Sequence, residues 1–246
     1  MANSKKVAFI TGANRGIGLQ TAQELGKEGF VVVLGVRDPG KGEAALAQLR
    51  GQKIEAELVA YDAQRPETDE QVRAYLEKKH GRLDVLVNNA GIAREELFGV
   101  PNASTVTQDV LRETFDTNVF AVIRLTQALL PLIKKAPAGR IVNLSSILGS
   151  NTLHATAGSP IEKAKAFAYN ASKTALNAFT VHLAAELAGT SVKVNSAHPG
   201  WVKTELGGPS APMELADSAR TSVRLATLGA DGPTGGFFHE SAPLPW

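Results

Sequence analysis

Val7-Ala8-Phe9-Ile10-Thr11-Gly12-Ala13-Asn14-Arg15-Gly16-Ile17-Gly18 sets an apolar run against a glycine cluster, and Ile17 to Leu25 then carries apolar residues at helical spacing. The order is strand, turn, helix. Backbone amides in such a turn, with the positive end of the helix behind them, suit a pyrophosphate. Gly12 permits the turn, Gly16 permits close approach, and Gly18 lets the helix lie near the strand. A glycine triplet alone is weak evidence, because a tight turn that binds nothing has the same composition. Its place at the first strand end strengthens the reading.

Outward from this unit the pattern repeats. Phe30 to Val36 is a β-branched run suited to a strand buried on both faces, followed by helical spacing from Ala44 to Leu49. A strand is expected near Glu57 to Tyr61, a helix from about Asp69 to Lys79, and a strand from Leu83 to Val87 ending in Asn88-Asn89-Ala90-Gly91. A long helix from Val106 to Ile133 precedes strands at Arg140 to Leu144 and Val192 to Ala197. Two segments read as loops, Gly91 to Thr105 and Gly149 to Pro160. Such alternation predicts an α/β fold, a doubly wound parallel sheet of Rossmann type with ligands beyond the carboxyl ends of the strands. Gly12 to Gly18, Arg37, Asp62, Asn89, Ser146 and Pro199-Gly200 all fall just after predicted strands.

A length of 246 residues fits one domain spanning residues 1–246. Hydrophobic residues at 43% and charged residues at 20% give an ordinary globular balance, and a net charge of +2 is too small to favour a nucleic-acid partner. Without cysteine there is no disulfide, thiolate or zinc–sulfur site. Met1 to Lys6 leads into a short apolar run with no signal-peptide core, and Phe120 to Ile133 is too short to cross a bilayer. The expectation is a cytoplasmic protein without a membrane partner.

The glycine spacing G-x-x-x-G-x-G, Asn88-Asn89-Ala90-Gly91, Ser145-Ser146, Tyr169-x-x-x-Lys173 and Pro199-Gly200 together resemble the short-chain dehydrogenase/reductase family over nearly the whole chain. The resemblance implies a catalytic tetrad of Asn118, Ser146, Tyr169 and Lys173. Tyr169 and Lys173 lie one above the other on a helix face. A carbonyl oxygen that gains negative charge needs a proton, and an ammonium nearby should make the phenol a better acid. By the resemblance, Ser146 polarises the substrate oxygen, with Ser145 as its competitor, and Asn118 holds a water that links Lys173 to solvent. Lys173 also bonds the nicotinamide ribose.

The cofactor positions implied are Gly12, Asn14, Arg15, Gly16, Ile17, Gly18, Arg37, Asp62, Asn89, Gly91, Tyr169, Lys173, Pro199, Gly200, Val202 and Thr204. Val36 stands where an acid would receive an adenosine ribose. Arg37 and Arg15 are two guanidinium groups that could converge on a 2′-phosphate, which favours NADPH/NADP+ over NADH unless both are solvated or Asp38 neutralises Arg37. Asp62 matches the residue that meets the adenine amino group. His198 invites a catalytic reading, but no metal-ligand spacing accompanies it and Tyr169 covers acid–base work.

Within the family, Asn14 to Leu19, Leu83 to Ala93, Pro199 to Thr204 and Gly232 to Phe238 resemble the monomeric carbonyl reductases. This implies reduction of a small-molecule ketone or aldehyde. The segment between Ser146 and Tyr169 is longer than in tetrameric members, which favours a monomer, with a dimer as the alternative. A short loop after Thr204 ends at a helix expected near Met213. Rival readings are a secondary-alcohol dehydrogenase working oxidatively and a non-catalytic NADP(H) sensor.

Overall fold

The computed structural model describes residues 5–246, so the reading of Met1 to Ser4 lies outside the described residues. The strands are β1 (Val7–Thr11), β2 (Val31–Val36), β3 (Ala56–Ala60), β4 (Val85–Asn88), β5 (Arg140–Leu144), β6 (Lys193–His198), β7 (Phe237–His239) and β8 (Ala242–Pro243). They form one eight-stranded sheet in the order β3-β2-β1-β4-β5-β6-β7-β8, parallel except for the antiparallel β7–β8 pair. The order reverses at β1 and β4, which opens a crevice at their carboxyl ends.

The helices are α1 (Gly16–Lys27), α2 (Pro39–Gly51), α3 (Glu67–His80), α4 (Gln108–Phe115), α5 (Ala121–Lys134), α6 (Asn151–Ala155), α7 (Phe167–Glu186) and α8 (Arg220–Ala226). Side-chain alternation along the strands builds a core on each face. Ala8, Ile10, Val32 and Leu34 join Leu25 of α1, Leu49 of α2 and Leu225 of α8. Val7, Phe9, Val31 and Val33 join Leu76 of α3, Leu129 of α5 and Leu183 of α7.

Several expectations are corrected. The long helix expected from Val106 to Ile133 is α4 and α5 joined by a π-helical turn at Asp116–Phe120, and Pro131 lies inside α5. An apolar spacing cannot register the extra residue of a wide turn, because the face drifts by less than the width of the apolar stripe. The expected loop at Gly149 to Pro160 contains α6, and β7 and β8 are too short to leave a periodic signal. No helix starts near Met213; a 3-10 turn at Leu215–Asp217 precedes α8.

Candidate active site

The glycine turn is built as a cradle. Gly12 and Gly16 both hold positive φ, 64° and 57°. A Cβ on Gly16 would meet nothing within 4 Å, so this edge of the turn faces open space. A Cβ on Gly18 would lie 2.5 Å from Asn89 Nδ2 and 2.6 Å from the Gly12 carbonyl, which only a glycine avoids. Arg15, at the cap position of α1, gives the helix no side-chain cap, and no acidic residue occupies the first turn. The first amides of α1 therefore stay available to an anion, as a pyrophosphate requires.

Asn89 braces this turn from the neighbouring strand. Its Nδ2 donates to the carbonyls of Thr11 at 2.7 Å and Gly12 at 3.3 Å. The Thr11 hydroxyl accepts from the amides of Asn89 and Ala90 at 3.0 and 2.9 Å. Thr11 was not among the sequence candidates; a hydroxyl at the strand end, one residue before Gly12, was the available signal.

The two arginines have different surroundings. Arg15 pairs with Glu205, on the segment after β6. Both partners are largely exposed, so the pair stabilises little and leaves Arg15 readily exchangeable. Arg37 is exposed at the end of β2 and has no hydrogen bond or ion pair among the described residues. Asp38 does not neutralise it: its Oδ1 accepts from the Gly40 amide at 3.0 Å and caps α2. Asp62, beyond β3, accepts from the Gln64 amide at 3.0 Å.

The tetrad residues come from β5, α7 and the π-helical turn. Tyr169 and Lys173 lie on α7, both buried, with Lys173 Nζ 5.6 Å from the centre of the phenol ring. Ser146, just past β5, neighbours the phenol and favours its ionised form. Its Oγ accepts from the Leu148 amide at 3.2 Å. Ser145 is buried with its hydroxyl unpartnered. Lys173 Nζ donates to the Leu144 carbonyl at 2.8 Å.

Asn118 is fully buried in the π-helical turn. Its Nδ2 donates to the Ile92 carbonyl at 2.8 Å and to Ser172 Oγ at 3.0 Å, and its Oδ1 accepts from the Ile92 amide at 2.8 Å. A Cβ on Gly91 would sit 3.2 Å from Asn118 Oδ1 and 3.5 Å from Lys173 Nζ, so Gly91 places the two groups on either side of one small gap.

Electrostatics correct one expectation. Burial pushes the Tyr169 phenol up to about 12, and the nearby Ser146 hydroxyl only partly offsets this. Burial also lowers the Lys173 ammonium to about 8. The phenol does not fall below its ordinary value here, because burial penalises the phenolate and outweighs the other influences on it. Burial, with His239 beside it, lowers His198 to about 3, and its Nδ1 has no partner. An imidazole that stays neutral at working pH is a poor proton donor, in keeping with a structural role.

The turn after β6 carries Pro199 and Gly200, whose φ is 98°. A Cβ there would collide with Met213 at 2.6 Å. Val202 is buried and bridges to Met213, while Thr204 Oγ1 accepts from the Gly207 amide at 3.0 Å. The cradle, the tetrad and this turn all lie at the carboxyl ends of the strands.

Comparison with known proteins bears on the family and the fold. The short chain dehydrogenase family model matches residues 6–215. Carbonyl reductase (NADPH) 1 of Mus musculus is 32% identical over 289 residues, covering 100% of both chains. Among solved structures, the carbonyl reductase Sniffer of D. melanogaster superposes with a TM-score of 0.82 at 30% identity, covering 98% of this chain and 99% of that one. The NADPH-bound carbonyl reductase from chicken fatty liver gives 0.85 at 28% identity, with 98% and 99% covered. The chain belongs to the short-chain dehydrogenase/reductase family.

Proposed function

We propose that the protein is an NADPH-dependent carbonyl reductase that converts a ketone or aldehyde to an alcohol, with Tyr169 as proton donor. The observation that carries this reading is the buried Tyr169 phenol beside Ser146, with Lys173 and Asn118 close by at the same strand ends as an open glycine cradle. When bound, NADPH supplies the hydride. The Gly12–Gly18 turn and the start of α1 hold the pyrophosphate, Arg37 and the exchangeable Arg15 meet the 2′-phosphate, and Asp62 lies on the adenine side. The Asn89 and Gly91 backbone, with the Pro199 to Thr204 turn, borders the rest of the dinucleotide.

The proton chemistry belongs to the chain. Ser146 donates to the substrate oxygen, and Tyr169 delivers its proton as charge gathers there. A phenol raised to about 12 holds that proton firmly at rest, so transfer waits for the developing oxyanion. Lys173 then stabilises the phenolate, and Asn118 orders the path by which the proton returns. The same groups serve alcohol oxidation in reverse.

Among the described residues, no helix is long and apolar enough to cross a membrane. We place the enzyme in the cytoplasm, acting as a monomer whose 147–166 segment is fastened by Lys165 Nζ to the His154 carbonyl at 3.0 Å. The decisive experiment follows NADPH absorbance with a panel of ketones and aldehydes. Tyr169→Phe should abolish turnover and keep NADPH binding; a wild type that binds NADPH without turning over any carbonyl would favour the sensor reading.

A further inference from the structure

Residues 91–107, between β4 and α4, lie against the start of α7. That helix has no cap of its own, since its cap position is Ala166. The amides of its first three residues are instead satisfied by two side chains of the preceding segment. Phe167 N donates to Asn102 Oδ1 at 3.0 Å, Ala168 N to Glu95 Oε1 at 3.2 Å, and Tyr169 N to Glu95 Oε2 at 2.9 Å. Asn102 Nδ2 donates to Glu95 Oε1 at 2.7 Å, which locks the two caps together. A carboxylate at a helix N-terminus is favoured by the dipole and by charge-assisted bonds to the amides.

The contact extends beyond the cap. Ala93 and Leu97 pack on the apolar cluster that holds Ile161, Ala164, Ala166 and Tyr169. Phe98 lies 4.9 Å, ring centre to ring centre, from Trp201 on the turn after β6. One segment therefore grips the backbone of Tyr169 and also reaches the turn that borders the cofactor.

We propose that Glu95, joined by Asn102, is a positioning residue for carbonyl reduction: it fixes the first turn of α7 and so holds the Tyr169 phenol against Ser146. The inference rests on the reading of Tyr169 as proton donor. Without the cap, the free amides would turn to water and the first turn would fray. Tyr169 lies in that turn. Lys173 lies one turn deeper and is anchored separately by the Leu144 carbonyl, so it stays in place. Loss of the cap should thus misplace the proton donor while leaving the cofactor held.

Glu95→Gln tests this, because the amide keeps the side chain's size but turns an NH2 toward one of its donors. At a temperature well below melting, and with saturating NADPH, kcat should fall about tenfold, since small misplacements of a reacting group cost one to two orders of magnitude. The deuterium isotope effect on kcat with 4-deuterated NADPH should rise as chemistry becomes slower. NADPH affinity should stay within about twofold, because the groups that hold cofactor are untouched. Glu96→Gln, an exposed neighbour, is the control and should behave as wild type.

A merely structural cap would lower the melting temperature and leave kcat and the isotope effect unchanged; that outcome overturns the proposal. Should Glu95→Gln fail to fold, hydrogen exchange on the wild type reads the same contact. Protected amides at residues 167–169 support it, and exchange at free-peptide rates overturns it. Retained turnover in Tyr169→Phe sinks the proton-donor reading itself, whereas unprotected amides in an enzyme that needs Tyr169 sink only the cap.

Discussion

Gly16→Ala and Gly18→Ala make the same chemical change two residues apart, and the structure assigns them different consequences. At Gly18 the new methyl meets Asn89 Nδ2 at 2.5 Å and the Gly12 carbonyl at 2.6 Å. Overpacking of this kind costs about 1–3 kcal/mol. Displacing Asn89 also weakens its 2.7 Å bond to the Thr11 carbonyl, a further loss of about 1 kcal/mol. Better helix propensity of alanine in α1 offsets about 1 kcal/mol. The net is a destabilisation of about 1–3 kcal/mol, which for a chain of this size lowers Tm by about 3–10 °C. At Gly16 nothing lies within 4 Å, so the cost is the left-handed backbone at φ 57°, about 1–2 kcal/mol. Its methyl enters the space left for the pyrophosphate, and NADPH affinity should drop at least about tenfold, the worth of one or two charge-assisted amide bonds. Differential scanning fluorimetry without cofactor and titration of NADPH fluorescence separate the two effects. Wild-type NADPH affinity in Gly16→Ala would refute the cradle, and a wild-type Tm in Gly18→Ala would refute the packing argument.

Arg37→Ala should raise KM for NADPH about tenfold or more, the worth of a charged hydrogen bond, and leave KM for NADH unchanged; equal effects on both would remove the 2′-phosphate contact. Lys173→Met should change how stability depends on pH. The buried ammonium loses its proton near 8 while the unfolded chain keeps it to its ordinary 10.5, so unfolding takes up a proton between these limits. Stability of the wild type relative to Lys173→Met should rise by about 1.4 kcal/mol per pH unit in that window, measured by urea unfolding at about pH 8 and about pH 9.5; parallel curves would contradict the burial argument. Arg140, nearly fully buried, donates to the carbonyls of Gly139, Ser191, Leu228 and Gly229. Arg140→Met should cost about 3 kcal/mol in chemical denaturation by leaving those carbonyls unpaired, and a loss below about 1 kcal/mol would mean that water replaces the guanidinium.

What the sequence shows depends on how local the cause is. β1 and β5 are read to the residue because apolar runs are bounded by glycine, serine and charged residues within one strand length. The start of α2 at Pro39 is missed because a helix opened by proline and two glycines has little apolar spacing before Ala44. At the site, motif and strand-end position single out Tyr169, Lys173, Ser146 and Asn118, which the fold gathers near the ends of β4 and β5. The pairing of Arg15 with Glu205 is invisible beforehand, since nothing in either neighbourhood encodes a partner 190 positions away. The direction of the Tyr169 shift is likewise a property of burial: Tyr169 and Lys173 can be seen as neighbours in the sequence, but how much water each loses cannot.

The glycine turn and the Tyr169–Lys173 pair are coupled through a single short run. Asn88, at the end of β4, donates to Asn143 Oδ1 at 2.9 Å and Thr126 Oγ1 at 3.1 Å, tying the strand to β5 and α5. Asn89 then braces the glycine turn, Gly91 leaves the gap between Asn118 and Lys173, and Ile92 is held by both polar atoms of the Asn118 amide. Asn88 thus faces β5 and α5, Asn89 the glycine turn, and Gly91 and Ile92 the π-helical turn. A rigid strand end thus sets the distance between the pyrophosphate turn and the lysine on α7. On the proposed reading, hydride transfer and proton delivery at one carbonyl require that distance to hold, and the sheet supplies it.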